Sequence, residues 1–338
     1  MSWLGLKYTG SFQSRKFLLY SEDPLREVWA SIALYGTKDF LRANFKPTDP
    51  EVTEWESILT YASVRIRQSV EFQRASNSAS PLTSPLSLYY SLLNLLRACT
   101  ALIFDKLPEA GHGLKFQRGE GLFDSRALLL NRGTFPNYLR EMNIFIPVDT
   151  PISFGDAVSR IVELRNDYTA IAGRPDSSFV VPVKVDAEIG GALTLVFPPW
   201  MKDFRSTWLT DFPKLVECSE LHTDGNILRV LKPQIESEAD IERFCAEHLE
   251  PSLVYRDLNV WSLIRNTETI PLLSRPAYYF VSLFILASIV RYEPELLSDV
   301  VNPDAQISWF VQRLLANTER FFPQLMIWWL NNNQQIYF

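Results

Sequence analysis

The sequence predicts a mainly helical α+β fold: a helical bundle around two apolar helices, about 85–104 and 276–292, with a small antiparallel β hairpin or sheet in the middle of the chain. Three observations predict it. Ser84-Pro85 opens the run LSLYYSLLNLLRACTALIF, a serine N-cap followed by proline, whose fixed φ suits the first helical position. Pro276 opens a second apolar run, AYYFVSLFILASIVRY, between Arg275 and Arg291. Between the two, the β-branched stretches SSFVVPVKVDA and ALTLVFPP flank EIGG, the pattern of a hairpin.

In chain order, residues 1–50 form an N-terminal segment. It holds a short helix over Leu25–Leu34, opened by Ser21 or Asp23 and Pro24, then a loop at Pro47 and Pro50. Residues 51–73 place Val52, Trp55, Ile58, Leu59, Ala62, Ile66 and Val70 near helical spacing, with acidic residues in the first turn, where the helix dipole favours them. SNSASPLTSP then reads as a polar loop. The helix after Pro85 is apolar nearly all round, so it is expected at the centre of the bundle. Ser87, Ser91, Asn94, Arg97 and Thr100 draw one polar stripe along it, which argues against a membrane span. Glycines punctuate 106–147, where a strand is expected at Ala127–Leu130 and a helix at Phe135–Met142 after Thr134. A helix is expected over 154–168, a strand over 226–232 and a helix over Glu236–Leu249.

The second apolar run is about fifteen residues, short of the roughly 20 needed to cross a bilayer, so it predicts a buried core helix. ISWFVQRLLANTERFF and LMIWWLNNN close the chain as an amphipathic helical tail. These segments group into a helical region at 51–175, a β-rich insertion at 176–235 and a C-terminal helical region at 236–338 that packs on the first bundle.

Composition bounds the function. The chain has 338 residues, 47% hydrophobic and 13% aromatic with nine Trp, enough for a large core. A net charge of −6 opposes bulk attraction to nucleic acid or anionic membranes. Nucleic acid could then be met only through a local basic region. Three widely spaced cysteines, Cys99, Cys218 and Cys245, are not a disulfide framework. Cys245 and His248 are three apart but lack further ligands, so no metal is expected. The opening MSWLGLKYTGSFQ lacks a basic segment followed by an apolar run, so no signal peptide and a cytoplasmic location are expected. P-loop, dinucleotide-fold, serine-hydrolase and zincin motifs are absent, and no cofactor is expected.

SPLSLYYSLLNLLRACTAL with the turn Gly111-His112-Gly113-Leu114, and AYYFVSLFILASIVRYEPELL followed by FFPQLMI, resemble the YaaC-like family of bacterial proteins, from roughly residue 55 to the end. That resemblance implies no established activity. The first apolar helix also resembles the second helix of HEPN domains, helical bundles of bacterial toxin and antiviral defence systems. The RNases of that family carry an Arg, a polar residue, three variable residues and a His. The best match here, Arg165-Asn166-Asp167-Tyr168-Thr169-Ala170, has Ala170 in the His position, so the usual acid/base imidazole is missing.

Arg97, His112 and Arg165 are the candidate catalytic or ligand-binding residues. Arg97 in an apolar helix needs a partner. It lines a polar pocket with Asn94 and Ser91, or lies on the exposed edge of the helix, or pairs with a carboxylate such as Asp156 or Glu163. His112 between two glycines is either a ligand contact with a pKa suited to proton transfer or a turn that caps the helix. Residues 97–140 hold seven Lys/Arg against four Asp/Glu, with interleaved Phe. Lys115, Arg118, Arg126 and Arg132 are the candidate nucleic-acid contacts, against the alternative of a solvated loop. Arg160 and Arg165, with Glu163 and Asp167, are expected on one helix as surface ion pairs. Arg291 is expected to bond the last carbonyls of its helix.

The function these features favour is that of a binding, regulatory or interaction protein with a protein partner or a second copy of itself, and no membrane. A divergent HEPN-like RNase or nucleic-acid sensor is the alternative.

Overall fold

A computed structural model describes residues 23–173, 178–187, 193–199, 220–224, 227–232, 249–251, 260–265, 272–302 and 304–334, with isolated positions between 212 and 245. The element order is α1 (Pro24–Tyr35), α2 (Lys38–Asn44), α3 (Trp55–Ser78), α4 (Ser84–Ile103), β1 (Leu114–Gln117), β2 (Arg126–Leu129), α5 (Thr134–Glu141), β3 (Pro151–Ser153), α6 (Phe154–Val158), α7 (Arg165–Ala172), β4 (Val180–Ala187), β5 (Leu193–Val196), β6 (Glu220–Asp224), β7 (Ile227–Lys232), β8 (Glu250–Pro251), β9 (Val260–Ile264), α8 (Arg275–Tyr292), α9 (Ser298–Val301) and α10 (Gln306–Gln334). The fold is mainly α with antiparallel sheets, as the sequence predicts. It divides into two compact units. Of the described residues, those within Ser159–Leu272 form one; those from Asp23 to Val158 and from Leu273 onward form the other.

The helical unit is organised on α4. Pro85 lies in its first turn, and α3, α8 and α10 all pack against it. It is the one described helix long and apolar enough to cross a membrane by length and composition, and 78% of its most apolar window is buried inside the protein. That burial is the behaviour of a core helix. Its polar stripe is satisfied by α3 rather than by water. Ser91 Oγ donates to Ser69 O at 2.8 Å and lies 3.1 Å from Ser69 Oγ, and Arg65 Nη1 donates to Asn94 Oδ1 at 3.1 Å. Buried polar groups need such partners, and these fix the pairing of the two helices.

β1, β2 and β3 form a three-stranded sheet in which Leu114 faces Leu129 and Ala127 faces Ile152. These four side chains are buried on one face, while Lys115, Gln117 and Arg126 are exposed on the other, as strand alternation requires. The buried face lies against α8.

α1 begins one residue before its expected start, with Asp23 Oδ1 accepting from Arg26 N at 3.1 Å. α2 is a short helix to which the sequence assigns no element, and the last turn of α3, to Ser78, enters the stretch that the sequence predicts as a polar loop. The two halves of the C-terminal tail are one helix, α10, with Pro323 inside it. Proline removes the N–H that would bond the carbonyl four residues back. That carbonyl is Glu319 O, and the indole N–H of the buried Trp29 donates to it at 3.1 Å. A donor from α1 therefore replaces the missing backbone bond, and the helix continues.

The other unit opens where the sequence predicts one helix over 154–168. The helix is broken: α6 ends at Val158, a 3₁₀ turn covers Val162–Leu164, and α7 follows. The cause is local. Ser159 O, which a continuous helix would offer to residue 163, instead accepts Phe179 N at 3.1 Å and Ser178 Oγ at 2.9 Å. Arg160 is buried, with its guanidinium 4.0 Å from the Phe179 ring centroid. The expected placement of Arg160 and Arg165 on one helix, with Arg160 at the surface, is corrected accordingly.

The predicted hairpin is real, with β4 paired to β5 and Val185 facing Leu195. It sits in the middle of a six-stranded antiparallel sheet, β6-β7-β5-β4-β9-β8. Val181, Val183 and Val185 enter a core with Leu195, Leu228, Val230, Trp261 and Leu263, while Lys184 and Asp186 between them are exposed. Most of the predicted helix over Glu236–Leu249 lies outside the described residues, as do Cys218 and His248. Cys99 and Cys245 are buried free thiols.

Candidate functional site

Two glycine turns build the site. Gly111 and Gly113 flank His112 with φ of 88° and 84°, and Gly133 has φ 121° and ψ −178°. The two turns cross with their backbones in contact. A Cβ on Gly133 would lie 2.5 Å from Gly113 N, and one on Gly113 would overlap the ring of Pro136. Only glycine permits that approach and those dihedrals. Thr134 N donates to Gly111 O at 3.1 Å, Phe135 N to His112 O at 3.0 Å and Leu130 N to Gly113 O at 3.0 Å. His112 is thereby fixed at the start of α5, beside α4.

Arg97 joins this crossing from α4. Its Nε donates to Thr134 Oγ1 at 2.8 Å and its Nη2 to Gly111 O at 2.9 Å. Its partners are thus a hydroxyl and a carbonyl, and the expected pairing with Asp156 or Glu163 is corrected. Asp156 bonds Ser153 instead, accepting from its Oγ at 2.6 Å.

His112 Nδ1 lies 2.7 Å from the phenolic oxygen of Tyr89. Burial pushes the Tyr89 pKa far up, so the phenol stays protonated. Among the described residues no other acceptor meets its O–H. Nδ1 therefore accepts, and the imidazole proton sits on Nε2.

Two further arginines complete the cluster. Arg291, near the end of α8, donates from Nε to Ala287 O at 3.2 Å, a carbonyl before the last four of the helix rather than one of the expected terminal ones, and from Nη1 to Tyr90 Oη at 3.4 Å. Tyr90 lies 6.2 Å from the His112 ring and stacks on Phe72 at 5.4 Å. Arg65, on α3, is held by Gln68 Oε1 and Asn94 Oδ1, each at 3.1 Å, and lies 5.0 Å from the ring of Tyr61.

Helical spacing explains the convergence. Tyr61, Arg65 and Gln68 share one face of α3, and Tyr90, Asn94 and Arg97 one face of α4. These residues are half-buried except Asn94, which is buried. Among the described residues none of Arg65, Arg97 and Arg291 has a carboxylate within ion-pair distance.

The charges act on each other. Burial, and then the charge of Arg65, hold the Arg97 pKa below its usual value, with Tyr61 and Tyr89 opposing. Burial, then Arg291 and Arg97, lower the His112 pKa from its ordinary 6.5. The groups facing the ring are Tyr89, Tyr90 and Arg97 of α4 and Arg291 and Phe284 of α8.

A histidine that resists protonation only when folded costs stability in acid. As pH falls below about 6.5 the unfolded chain takes up a proton that the folded chain refuses, so stability declines there and is restored above it. Urea midpoints at pH 7.5 and 5.5 should therefore fall further for the wild type than for His112→Gln. Equal falls would remove His112 from the acid response.

The other predicted residues lie elsewhere. Lys115 and Arg126 share the exposed face of the three-stranded sheet, and Arg132 is exposed next to Gly133. Arg118 is ion-paired with Glu293 at 2.6 Å and Glu295 at 3.3 Å. Arg118 and Arg126 line an open cleft of about 510 Å³, together with Glu120 and Asp124, so its charges balance. Arg165 belongs to the other unit, where its Nε donates to Val180 O at 3.2 Å and its Nη1 to Asn166 Oδ1 at 2.8 Å. Among the described residues no group of three His, Cys, Asp or Glu is placed to hold a metal ion.

A helical unit centred on a buried apolar helix, with a half-buried arginine–histidine cluster at a crossing of glycine turns, defines the class. The chain belongs to the YaaC-like protein family, whose model matches residues 35–330. No curated protein and no solved structure matches it.

Proposed function

We propose that this YaaC-like protein works by binding, as a regulatory or interaction protein, and that it takes an anionic group at Arg65, Arg97, Arg291 and His112. The observation that carries this reading is the set of three half-buried guanidiniums without a carboxylate. Partly desolvated charge of one sign is costly unless something neutralises it, and a bound anion does so.

The surroundings of His112 support binding over turnover. Its Nδ1 partner is a phenol, not the carboxylate that orients a catalytic base, and two arginines oppose its protonation.

Melting temperatures tell whether the reading holds. At fixed ionic strength, inorganic phosphate, sulfate, citrate or acetate should raise that of the wild type, as a ligand of the native state must. The double variant Arg97→Gln/Arg291→Gln should show no rise, and the anion should be recovered chemically unchanged. A wild type that none of the four stabilises, or a double variant that responds equally, would refute it.

A further inference from the structure

We infer that the group bound at this cluster is a terminal phosphate, as in a phosphate monoester, gripped by Arg65, Arg97 and Arg291 together with the Nε2–H of His112. The inference rests on the anion-binding reading and narrows it to one chemical class.

The donors present make the argument. A guanidinium carries five N–H groups. Arg65 uses its Nη1 for Gln68 and Asn94; Arg97 uses Nε and one Nη2 hydrogen; Arg291 uses Nε and one Nη1 hydrogen. Each keeps three N–H donors uncommitted. Every bond that fixes these side chains is to a neutral oxygen, so the cluster is held in place while its charge stays unneutralised.

The imidazole adds a donor of the same kind. With Nδ1 accepting from Tyr89, His112 offers Nε2–H and no acceptor. Tyr90 Oη accepts from Arg291, which leaves its own hydrogen to donate. A site of donors alone suits a ligand whose contacting atoms are all acceptors.

Charge then separates the candidate anions. A carboxylate offers two oxygens and a single charge against three guanidiniums. A phosphodiester within a nucleic acid likewise offers one charge per phosphate. A terminal phosphate offers three oxygens and a charge of about −1.5 to −2 near neutral pH, and planar forks of arginine match its geometry.

A polymer would also need a basic track leading from the cluster. Arg118 is instead neutralised by Glu293 and Glu295, Lys115 and Arg126 lie on the exposed face of the sheet, and only Arg132 of the four lies in the turn beside the cluster, one charge rather than a track. The contacts Arg65–Asn94, Arg97–Gly111, His112–Tyr89 and Tyr90–Arg291 tie the cluster to neighbouring positions of α3, α4, α8 and the His112 turn, and the charges of Arg97 and Arg291 both reach the His112 ring.

The test is calorimetric titration of the full chain at constant ionic strength with phenyl phosphate, inorganic phosphate, acetate, citrate and a 5′-hydroxyl RNA oligomer. Phenyl phosphate and inorganic phosphate should bind at one site per chain. Arg65→Gln, Arg97→Gln and Arg291→Gln should each weaken that binding about tenfold or more, the scale of one charge-assisted bidentate contact. Arg97→Lys keeps the charge and loses the fork. It guards against misfolding, since a variant that melts like the wild type and still binds more weakly reports the site alone.

Acetate or citrate binding as tightly as phosphate, with the same dependence on arginine, would overturn the phosphate class and leave the anion reading standing. RNA displacing phenyl phosphate at lower concentration would overturn it in favour of a polymer. Phosphate binding that all three glutamine variants preserve would place the anion elsewhere and overturn it. Absence of binding by any anion would remove both readings.

Discussion

Phe280→Ala is expected to lower the stability of the helical unit by about 3–5 kcal/mol, the range for emptying a fully buried aromatic site. Phe280 is 0% exposed on α8. Its ring stacks on Phe135 of α5 at 5.2 Å with the planes 3° apart, and leans on Tyr89 of α4 at 5.4 Å. Three helices meet at that one ring, so no single one can move in to fill the space without leaving another partner. Stacked and tilted aromatic pairs add to the area term. The measurement is the urea midpoint, with Phe280→Leu as a variant that keeps an apolar side chain in the gap. Leucine should lose clearly less than alanine. A loss under about 1.5 kcal/mol for alanine would mean that the site collapses freely, contrary to the packing described. Tyr89 also carries His112, so the anion affinity of Phe280→Ala should fall even at temperatures where the variant is folded.

Much of this core was legible in the sequence, and the reason is physical. α4 and α8 each begin with a proline in the first turn and run apolar nearly all round, which leaves at most a narrow stripe for polar partners. β4 and β5 declare themselves by β-branched residues around a glycine turn. The break at Ser159 was not legible. The stretch 154–168 has helical composition throughout, and what ends α6 is the capture of Ser159 O by Ser178 and Phe179, residues that the local pattern does not include. Pro323 within α10 is the reverse case. A residue that breaks helices is tolerated because Trp29, far away in the chain, supplies the missing donor.

The site divides in the same way. Arg97 stands out as a charge in an apolar helix, and His112 as an imidazole between glycines. Arg65 does not stand out, because it lies on the polar side of an ordinary amphipathic pattern. The available signal was the spacing Tyr61, Arg65, Gln68, an aromatic and two polar groups on one face of α3. Arg291 was legible as a residue that bonds carbonyls of its own helix but not as a neighbour of Tyr90 and His112. Local chemistry marks a residue as unusual, while convergence needs the packing of α3 on α4 and of α8 beside them.

Gly133→Ala tests the coupling between fold and site most severely. At φ 121° and ψ −178° Gly133 occupies a region that is essentially closed to residues with a Cβ, which costs about 1–3 kcal/mol by itself. The added methyl would also sit 2.5 Å from Gly113 N and 2.7 Å from Gly113 Cα. Those are backbone atoms, so no side chain can rotate away, and the two turns must separate. Separation breaks Thr134 N to Gly111 O and Phe135 N to His112 O, and with them the carbonyl that holds Arg97 Nη2. The expected loss therefore exceeds the dihedral cost alone and reaches about 3 kcal/mol or more once those bonds are counted, with phosphate affinity lost in the molecules that remain folded. Gly173→Ala supplies the control. Gly173 also has positive φ, at 71°, but no atom of the described residues near an added Cβ, so it carries the left-handed cost of about 1–2 kcal/mol without a clash among them. Similar losses for the two variants, measured by urea denaturation, would show that the turns are not locked together. A much larger loss at Gly133, accompanied by loss of binding, would show that the backbone crossing is what holds His112 and Arg97 beside each other.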